Sequence, residues 1–512
     1  MSPLILDGAS LSIDAVLRVA STPHVQLALS DDARLRMGES RRIVEEWVER
    51  GATVYGITTG FGEFANVSIG HADLARLQEN LIRSHAVGAG EWIDAETMRA
   101  MVLLRVNALA CGFSGVRVRT VETLIEMLAA DIVPAAPSQG SVGSSGDLVQ
   151  LAHIVLAAMG EGYVWRNGSV VPSGPELALA LIEPLKLAAK EGLALINGTQ
   201  MMGAFGTIAL GRALRLARTA DVVAALSVEA LKGTDRAYDP RLHAVRPHPG
   251  QRAVAANMRR LMADSPIRES HRSGDDRVQD AYSLRCIPQI HGASRDALDY
   301  VRRVVEIEIN AATDNPLIFP ENGGEPIEGG NFHGQPLAIA FDTLGIAAAE
   351  LANVSERRTE RLVNGTLSRL PRFLTTRGGL NSGYMIAQYT AASIVSENKV
   401  LAHPASVDSI PTSANQEDHN SMGSIAARKA LKIVENLTSV LAVELLCAVQ
   451  GLDFHAPLTP GPALHRVHAL VRERVPHLDE DRVVHTDLAE ARALVASGEV
   501  LRAAETVVGE LE

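Results

Sequence analysis

The part of the sequence that most directly suggests chemistry is a glycine- and serine-rich segment, GSVGSSGDL, at residues 140–148. It precedes an apolar run at residues 148–159 whose pattern is typical of a helix. The commonest role of such a segment is a flexible loop with a Ser or Asp N-cap. A phosphate-binding loop would need a lysine-containing continuation and a βαβ pattern, and a serine-hydrolase nucleophile turn would need a preceding strand. The flanking sequence favours neither of these two.

A fourth role for the segment is cyclisation of its own backbone at Ser144, Ser145 and Gly146. Because glycine offers the least steric resistance, the amide nitrogen of Gly146 could attack the carbonyl carbon of Ser144. Loss of water on ring closure, and loss of the Ser145 hydroxyl as a second water, would give a 4-methylidene-imidazol-5-one. That ring is an electrophile, and helix N-termini directed at it would make it more electrophilic. The segment alone leaves these alternatives open.

The elements that have to position such a site are predicted to be mainly helices. The chain has 512 residues, of which 46% are hydrophobic and 4% aromatic, and this is ample for a buried core. Apolar residues recur at helical spacing in residues 201–231, 336–362 and 425–446, which are also rich in the helix former Ala. The clearest strand pattern is a short hairpin at residues 162–171. The sequence therefore predicts an all-α fold.

Composition argues against several classes of function. The net charge of −12 disfavours a nucleic-acid-binding surface, which needs a basic stripe. Cys111, Cys286 and Cys447 are too few and too scattered for a disulfide framework or a cysteine metal site, so we expect no metal. We also expect no signal peptide, no membrane-spanning run and a cytoplasmic location. The charged residues 264–280 predict a solvated loop, with a mobile lid as the alternative.

Seven motifs in chain order resemble those of the aromatic amino acid ammonia-lyase and aminomutase family. The segment at 140–148 resembles the family's cofactor-forming segment. The other six are YGITTGFG (55–62), SHAVGAG (84–90), NGT (197–199), QDAYSLRC (279–286), GGNFHG (329–334) and NQEDH (415–419). Their joint occurrence is highly specific, and the SHAVGAG segment is similar to that of histidine ammonia-lyases.

The resemblance implies a homotetramer built on a long central helical bundle of the fumarase/aspartase type, with active sites shared between subunits. Residues 1–512 would form a single catalytic unit, in which about 1–200 carry the cofactor-forming loop and 201–512 form the bundle and the C-terminal helices. The implied reaction is the non-oxidative deamination of an aromatic L-amino acid, foremost L-histidine to trans-urocanate and ammonia. Two alternatives stay open: a 2,3-aminomutase acting on L-histidine or L-tyrosine, and a non-catalytic homologue.

The resemblance also assigns roles in the chemistry. The 4-methylidene-imidazol-5-one formed from Ser144, Ser145 and Gly146 would hold the substrate amine. Tyr55 would be the base that removes the β-proton. Tyr282 would act beside it in catalysis and help to hold the imidazolone oxygen. Each tyrosine, taken by itself, is as well explained by a structural hydroxyl.

The remaining roles concern substrate binding. Arg285 would clamp the carboxylate, because a guanidinium binds two oxygens at once. His85 and Glu417 would bind the imidazole ring, whose nitrogens need hydrogen-bond partners. The other expected substrate-binding residues are Asn197, Gln279 and Phe332.

The sequence departs from the family pattern at two places. Ser144 stands where the family usually has Ala, but only its carbonyl would enter the ring, so the extra hydroxyl should be tolerated. Val149 and Gln150 stand where the family commonly has Ala-Pro, and we expect Gln150 to place a polar amide beside the cofactor. Asp147 would either assist the dehydration of Ser145 or serve as an N-cap. His153 and His333 are expected to be structural.

Overall fold

The protein is described by a computed structural model that covers residues 3–60, 69–70, 73–321 and 324–512. Over these ranges it contains 21 α-helices and nine short strands, which confirms the predicted all-α class. The elements up to residue 230 are β1 (Leu4–Leu6), α1 (Ile13–Ser21), β2 (Leu27–Leu29), α2 (Asp31–Glu49), α3 (Leu74–His85), β3 (Ala89–Trp92), α4 (Ala95–Ala110), α5 (Val118–Ala129), β4 (Val133–Pro134), β5 (Pro137–Gln139), α6 (Leu148–Ala158), β6 (Tyr163–Arg166), β7 (Ser169–Pro172), α7 (Ser173–Leu179), α8 (Glu191–Ile196) and α9 (Gln200–Ala230). The later elements are α10 (Pro240–Ala244), α11 (Pro249–Leu261), α12 (Pro266–Ser270), α13 (Tyr282–Arg285), α14 (Ile287–Glu308), β8 (Leu317–Phe319), β9 (Glu325–Ile327), α15 (Gln335–Val363), α16 (Gly365–Ser368), α17 (Met385–Leu401), α18 (Gly423–Asp453), α19 (Pro462–Arg474), α20 (Val484–Ser497) and α21 (Glu499–Val508).

The chain divides into two compact units. The first comprises the residues up to Gly211 together with Arg302–Asp342 and Pro404–Arg428. The second comprises Arg212–Val301, Thr343–His403 and Lys429–Glu512. All strands of the described ranges belong to the first unit. That the whole chain acts as a single catalytic unit stays a prediction.

Three of the longest helices were predicted closely from helical spacing. Residues 201–231, 336–362 and 425–446 correspond to α9, α15 and α18. By length and composition α15 and α18 could each cross a membrane, but 67% and 89% of their most apolar stretches are buried inside the structure. Such burial is typical of core helices, whose apolar residues pack against neighbouring helices instead of lipid.

The core of the second unit contains a buried polar network between long helices. The Arg358 guanidinium on α15 donates to both carboxylate oxygens of Glu444 on α18, at 2.5 and 3.0 Å. Glu444 also accepts from the Ser227 hydroxyl on α9 at 2.6 Å, and the His291 ring lies 2.8 Å from an Asp221 oxygen. All five side chains are fully buried. Charges removed from water are tolerated here because each has a partner.

Short strands of the first unit position its loops. The hairpin pattern at residues 162–171 is confirmed, since β6 and β7 pair antiparallel from Tyr163–Pro172 to Arg166–Ser169. Strand β5 pairs with β3 and leads directly into residues 140–147, after which α6 begins. The glycine- and serine-rich segment is therefore fixed at both ends.

A buried arginine braces the turn that joins α8 to α9. Arg105 on α4 is 1% exposed. Its guanidinium donates to the carbonyl oxygens of Asn197 and Thr313 at 3.3 and 3.0 Å, and to the side-chain oxygen of Gln200 at 2.9 Å. The bond to Asn197 satisfies a backbone oxygen that the end of α8 leaves unpaired. The bonds of Arg105 also set the position of Asn197.

The prediction of a solvated loop at residues 264–280 was wrong for part of the segment. Helix α12 lies within it, and its residues Ile267 and Arg268 are buried. The Arg268 guanidinium donates to an Asp235 oxygen at 3.0 Å and to the Thr234 hydroxyl at 3.2 Å. A charged residue can thus lie in the interior when neighbouring polar groups receive its hydrogen bonds.

Candidate active site

The glycine- and serine-rich segment makes a close backbone approach to the turn before α9. Gly146 has a φ of +76°, and it forms an isolated parallel bridge with Gly198. A Cβ added at Gly146 would lie 2.0 Å from the Gly198 carbonyl oxygen. The next amide, that of Asp147, donates to the same oxygen at 2.8 Å. Only glycine fits at this position, for both conformational and steric reasons.

Asp147 does not cap α6, so the N-cap alternative was wrong for its side chain. It is the N-cap residue by position but makes no side-chain bond to that helix. Instead, one carboxyl oxygen accepts from the backbone amide of Met202 in the first turn of α9, at 2.9 Å. The other oxygen is buried without a hydrogen-bond partner. Burial raises the pKa of Asp147 to about 7.

The three residues expected to form the electrophile are held by side chains from distant parts of the chain. The Asn197 side-chain amide donates to the Ser145 carbonyl oxygen at 2.9 Å. The Ser144 and Ser145 hydroxyls donate to the two oxygens of Glu417, at 3.1 and 2.9 Å. Ser144 and Asn197 are almost fully buried. Hydrogen bonds therefore hold both the backbone carbonyl of Ser145 and the hydroxyls of Ser144 and Ser145.

These groups face a cavity of about 780 Å³ within the first unit. Its walls include seven of the residues predicted from sequence: Tyr55, His85, Ser144, Ser145, Asn197, Phe332 and Glu417. Further lining residues are Leu81, Leu148, Leu193, Asn315, Glu328, His333, Ser413, Ala414, Gln416, Asp418 and His419. The cavity has the size of a small-molecule site.

Tyr55 is held over this cavity by a loop that makes its own hydrogen bonds. The Thr58 hydroxyl donates to the Ala52 carbonyl at 2.6 Å and accepts from the Val54 amide at 2.9 Å. Gly56 has a φ of +67°, which favours glycine there. The motif's last two residues, Phe61 and Gly62, lie outside the described ranges.

His85 presents a neutral imidazole to the cavity. Its Nδ1 lies 2.9 Å from the Leu81 carbonyl oxygen, which can only accept, so Nδ1 carries the proton. Desolvation by burial lowers the pKa of His85, although the Leu81 carbonyl and the charge of Glu417 act in the opposite direction. In this tautomer Nε2 is an acceptor, so His85 and Glu417 both offer acceptors to a ligand.

A tight loop places Glu417. Thr412 and Glu417 exchange backbone hydrogen bonds of 3.0 and 3.3 Å, and the residues between them include three with left-handed φ, at 413–415. The Thr412 hydroxyl donates to Glu417 Oε2 at 2.6 Å. The carboxylate is therefore constrained through its backbone and its side chain.

Besides Gly146, three predicted site residues are not among the described residues that line the cavity: Gln279, Tyr282 and Arg285. They belong to the second unit. Tyr282 is 70% exposed, and the Arg285 guanidinium lies 4.7 Å from the centre of its ring. Their assigned roles stay predictions.

Sequence reasoning did not place His333 at the site, and its expected structural role stays a prediction. It lines the cavity, and its ring stacks on that of His419 at 6.0 Å. The signal was its position beside Phe332 in one motif. The expectation for Gln150 was wrong: its buried side-chain amide accepts from the Ser141 hydroxyl at 2.7 Å and donates to the Pro137 carbonyl at 3.0 Å. It anchors the start of the segment instead of facing the cavity.

The sequence profile of the aromatic amino acid lyases matches residues 11–473. The chain belongs to the aromatic amino acid lyase family. Within this family it is 51% identical over 508 residues to the histidine ammonia-lyase of Alkaliphilus oremlandii, covering 99% of each chain. It is 54% identical over 480 residues to that of Deinococcus radiodurans, covering 94% of this chain and 91% of the relative.

Solved structures of the lyase family share the fold. Histidine ammonia-lyase from Trypanosoma cruzi superposes with a TM-score of 0.92 at 45% identity, covering 99% of this chain and 96% of that one. Tyrosine aminomutase from Streptomyces globisporus gives a TM-score of 0.94 at 39% identity, covering 100% of both chains. The chain therefore has the helical fold common to ammonia-lyases and aminomutases.

Proposed function

We propose that the protein is a carbon–nitrogen lyase that converts L-histidine to trans-urocanate and ammonia. The observation that carries this proposal is the pair of acceptors, His85 and Glu417, beside Ser144 and Ser145 in one cavity. An imidazole ring has a nitrogen-bound proton to donate, whereas a phenyl ring has none. Relatives named histidine ammonia-lyase at 51–54% identity support the same substrate.

The residues fit the expected 4-methylidene-imidazol-5-one. Only glycine fits at position 146, so no side chain hinders the amide nitrogen that would close the ring. The Asn197 side-chain amide donates to the Ser145 carbonyl oxygen, which would become the imidazolone oxygen. When formed from residues 144–146, the group supplies an electrophile for the substrate amine. Asn197 then polarises that electrophile by donating to its oxygen.

The side chains around the cavity supply the remaining chemistry. Tyr55 accepts the β-proton, since this residue lines the cavity. His85 and Glu417 orient the ring, and Phe332 packs against the substrate and reduces its contact with water. Positioning matters because the β-proton is weakly acidic, and a misaligned base would remove it slowly.

The carboxylate clamp and the second tyrosine come from another subunit of a homotetramer in our proposal. Arg285 and Tyr282 do not line the described cavity, although the chemistry needs both. Helix α17 supports an oligomer, because Ile386 and Tyr389 are more than half exposed and only two of its residues are buried. Large exposed apolar faces mark interfaces. The three cysteines are all free, as suits our proposed cytoplasmic location.

The experiment that tests this proposal mixes purified protein with L-histidine and follows urocanate by its near-ultraviolet absorbance. We expect the absorbance to rise, and Ser145→Ala to abolish the rise while its intact mass shows no loss of water relative to its own sequence. Formation of β-histidine from L-histidine without urocanate, or of β-tyrosine when L-tyrosine is supplied instead, would establish the aminomutase; both products are detected by mass spectrometry. Full unmodified mass of the wild-type protein would support the non-catalytic homologue.

A further inference from the structure

The carboxylate of Glu417 receives three hydroxyl donors, distributed unequally between its oxygens. Ser144 Oγ and Thr412 Oγ1 lie 3.1 and 2.6 Å from Oε2. Ser145 Oγ lies 2.9 Å from Oε1. A carboxylate has about four acceptor sites, so it can take all three hydrogen bonds at once. The two oxygens nevertheless have different partners, and those partners have different fates.

Formation of the imidazolone removes one donor and keeps the other two. The Ser145 hydroxyl leaves as water together with the α-proton of Ser145, and the electron pair of the Cα–H bond forms the methylidene double bond. Ser144 contributes only its carbonyl carbon to the ring, so its hydroxyl stays on the chain. Thr412 takes no part in the cyclisation. After maturation Oε1 has lost its donor, while Oε2 still has both.

We propose that the Ser144 and Thr412 hydroxyls are positioning groups for the specificity of the site. They hold Glu417 by Oε2 so that Oε1, vacated by the Ser145 hydroxyl, receives the nitrogen-bound proton of the substrate imidazole. This inference rests on the proposed function and deepens it. It assigns a task to Ser144, the position at which this chain departs from the alanine usual in the family.

The surroundings of the two hydroxyls favour a fixed geometry. Ser144 is 6% exposed, so water competes little for its hydroxyl. Thr412 is tied to Glu417 through the backbone bridge as well as through its side chain. The Asn420 amide also lies 3.4 Å from the Thr412 hydroxyl oxygen and directs the hydroxyl proton towards Glu417. Hydrogen bonds to a charged acceptor are stronger than those between neutral groups.

The test compares two unreactive probes, 3-(imidazol-4-yl)propionate and 3-phenylpropionate, which share a carboxylate and differ in the ring. Their Kd values are measured by calorimetry on the mature wild-type protein and on Ser144→Ala and Thr412→Val. Intact mass verifies in each that two waters have been lost. We expect each substitution to raise the Kd of the imidazole probe about ten- to fiftyfold, within the range of a hydrogen bond to a charged group, and to leave the Kd of the phenyl probe unchanged.

Conservative variants and a remote control separate positioning from a general structural effect. Ser144→Thr and Thr412→Ser keep a hydroxyl, so their Kd values for both probes should stay within about twofold of the wild-type values. The same is expected of the remote control Ser21→Ala, which loses a hydroxyl that bonds only to backbone carbonyls of α1. If Ser144→Ala fails to mature, Thr412→Val carries the test.

Two results would overturn the inference, and they differ in meaning. In the first result, the wild type binds the imidazole probe more tightly than the phenyl probe, and Ser144→Ala and Thr412→Val either keep that preference or bind both probes more weakly by the same factor. The positioning role is then wrong and the proposed function stands. If the wild type shows no preference for the imidazole probe and forms no urocanate, the proposed function fails as well.

Discussion

The close approach of Gly146 to Gly198 permits a sharply controlled substitution. Gly146 and Gly168 have nearly the same left-handed φ, +76° and +78°, but a Cβ at Gly146 would meet the Gly198 oxygen at 2.0 Å whereas a Cβ at Gly168 would meet nothing within 4 Å. Alanine in this conformation costs about 1–2 kcal/mol at either position. At Gly146 the backbone must also move by about 1 Å, and such overpacking adds about 1–3 kcal/mol.

We therefore expect Gly146→Ala to melt well below Gly168→Ala in parallel thermal scans at one protein concentration. Displacement of the Gly146 amide from the Ser144 carbonyl should also stop ring closure. Intact mass should then show two retained waters in Gly146→Ala and their loss in Gly168→Ala. The reasoning is refuted if the two variants melt together and both lose two waters.

Two further predictions concern a buried carboxyl and the proposed shared site. Burial raises the pKa of Asp147 from 3.8 to about 7, so the stability it contributes is full below about pH 4 and is lost as pH rises through 7. The Tm of wild type minus that of Asp147→Asn should fall over this range, and a flat difference would contradict the assignment. Tyr55→Phe and Tyr282→Phe should each be nearly inactive. Co-expression of the two variants should restore part of the histidine deamination, because mixed tetramers contain some sites with both tyrosines. No recovery of activity in purified mixed tetramers would refute sharing of the site between subunits.

The helices were predictable from the sequence because their signal is local. Apolar spacing located α9, α15 and α18 to within a few residues at most ends, although α18 continues to Asp453, seven residues beyond the predicted 446. The hairpin of β6 and β7 was visible for the same reason. In each case neighbouring residues along the chain determine the element.

The candidate site was predictable only as far as motifs could indicate it. Motifs brought Ser144, Asn197 and Glu417 under consideration, and the structure places them together. The link from Asp147 to Met202 joins residues 55 positions apart, and it depends on how the segment packs on α9. Gln150 likewise bonds back to β5, which no local pattern in the sequence indicated. Such contacts follow from tertiary packing and not from local propensity.

The buried pair of Arg358 and Glu444 limits the routes by which this sequence can diverge. Loss of one partner leaves a charge buried alone, which costs about 3–5 kcal/mol. That is a large part of the roughly 5–15 kcal/mol that keeps a typical protein folded. Replacement of both by apolar side chains of matching volume is often neutral. Descendants of this chain should carry both charges or neither, because a lineage that changes them one at a time passes through a poorly folded ancestor.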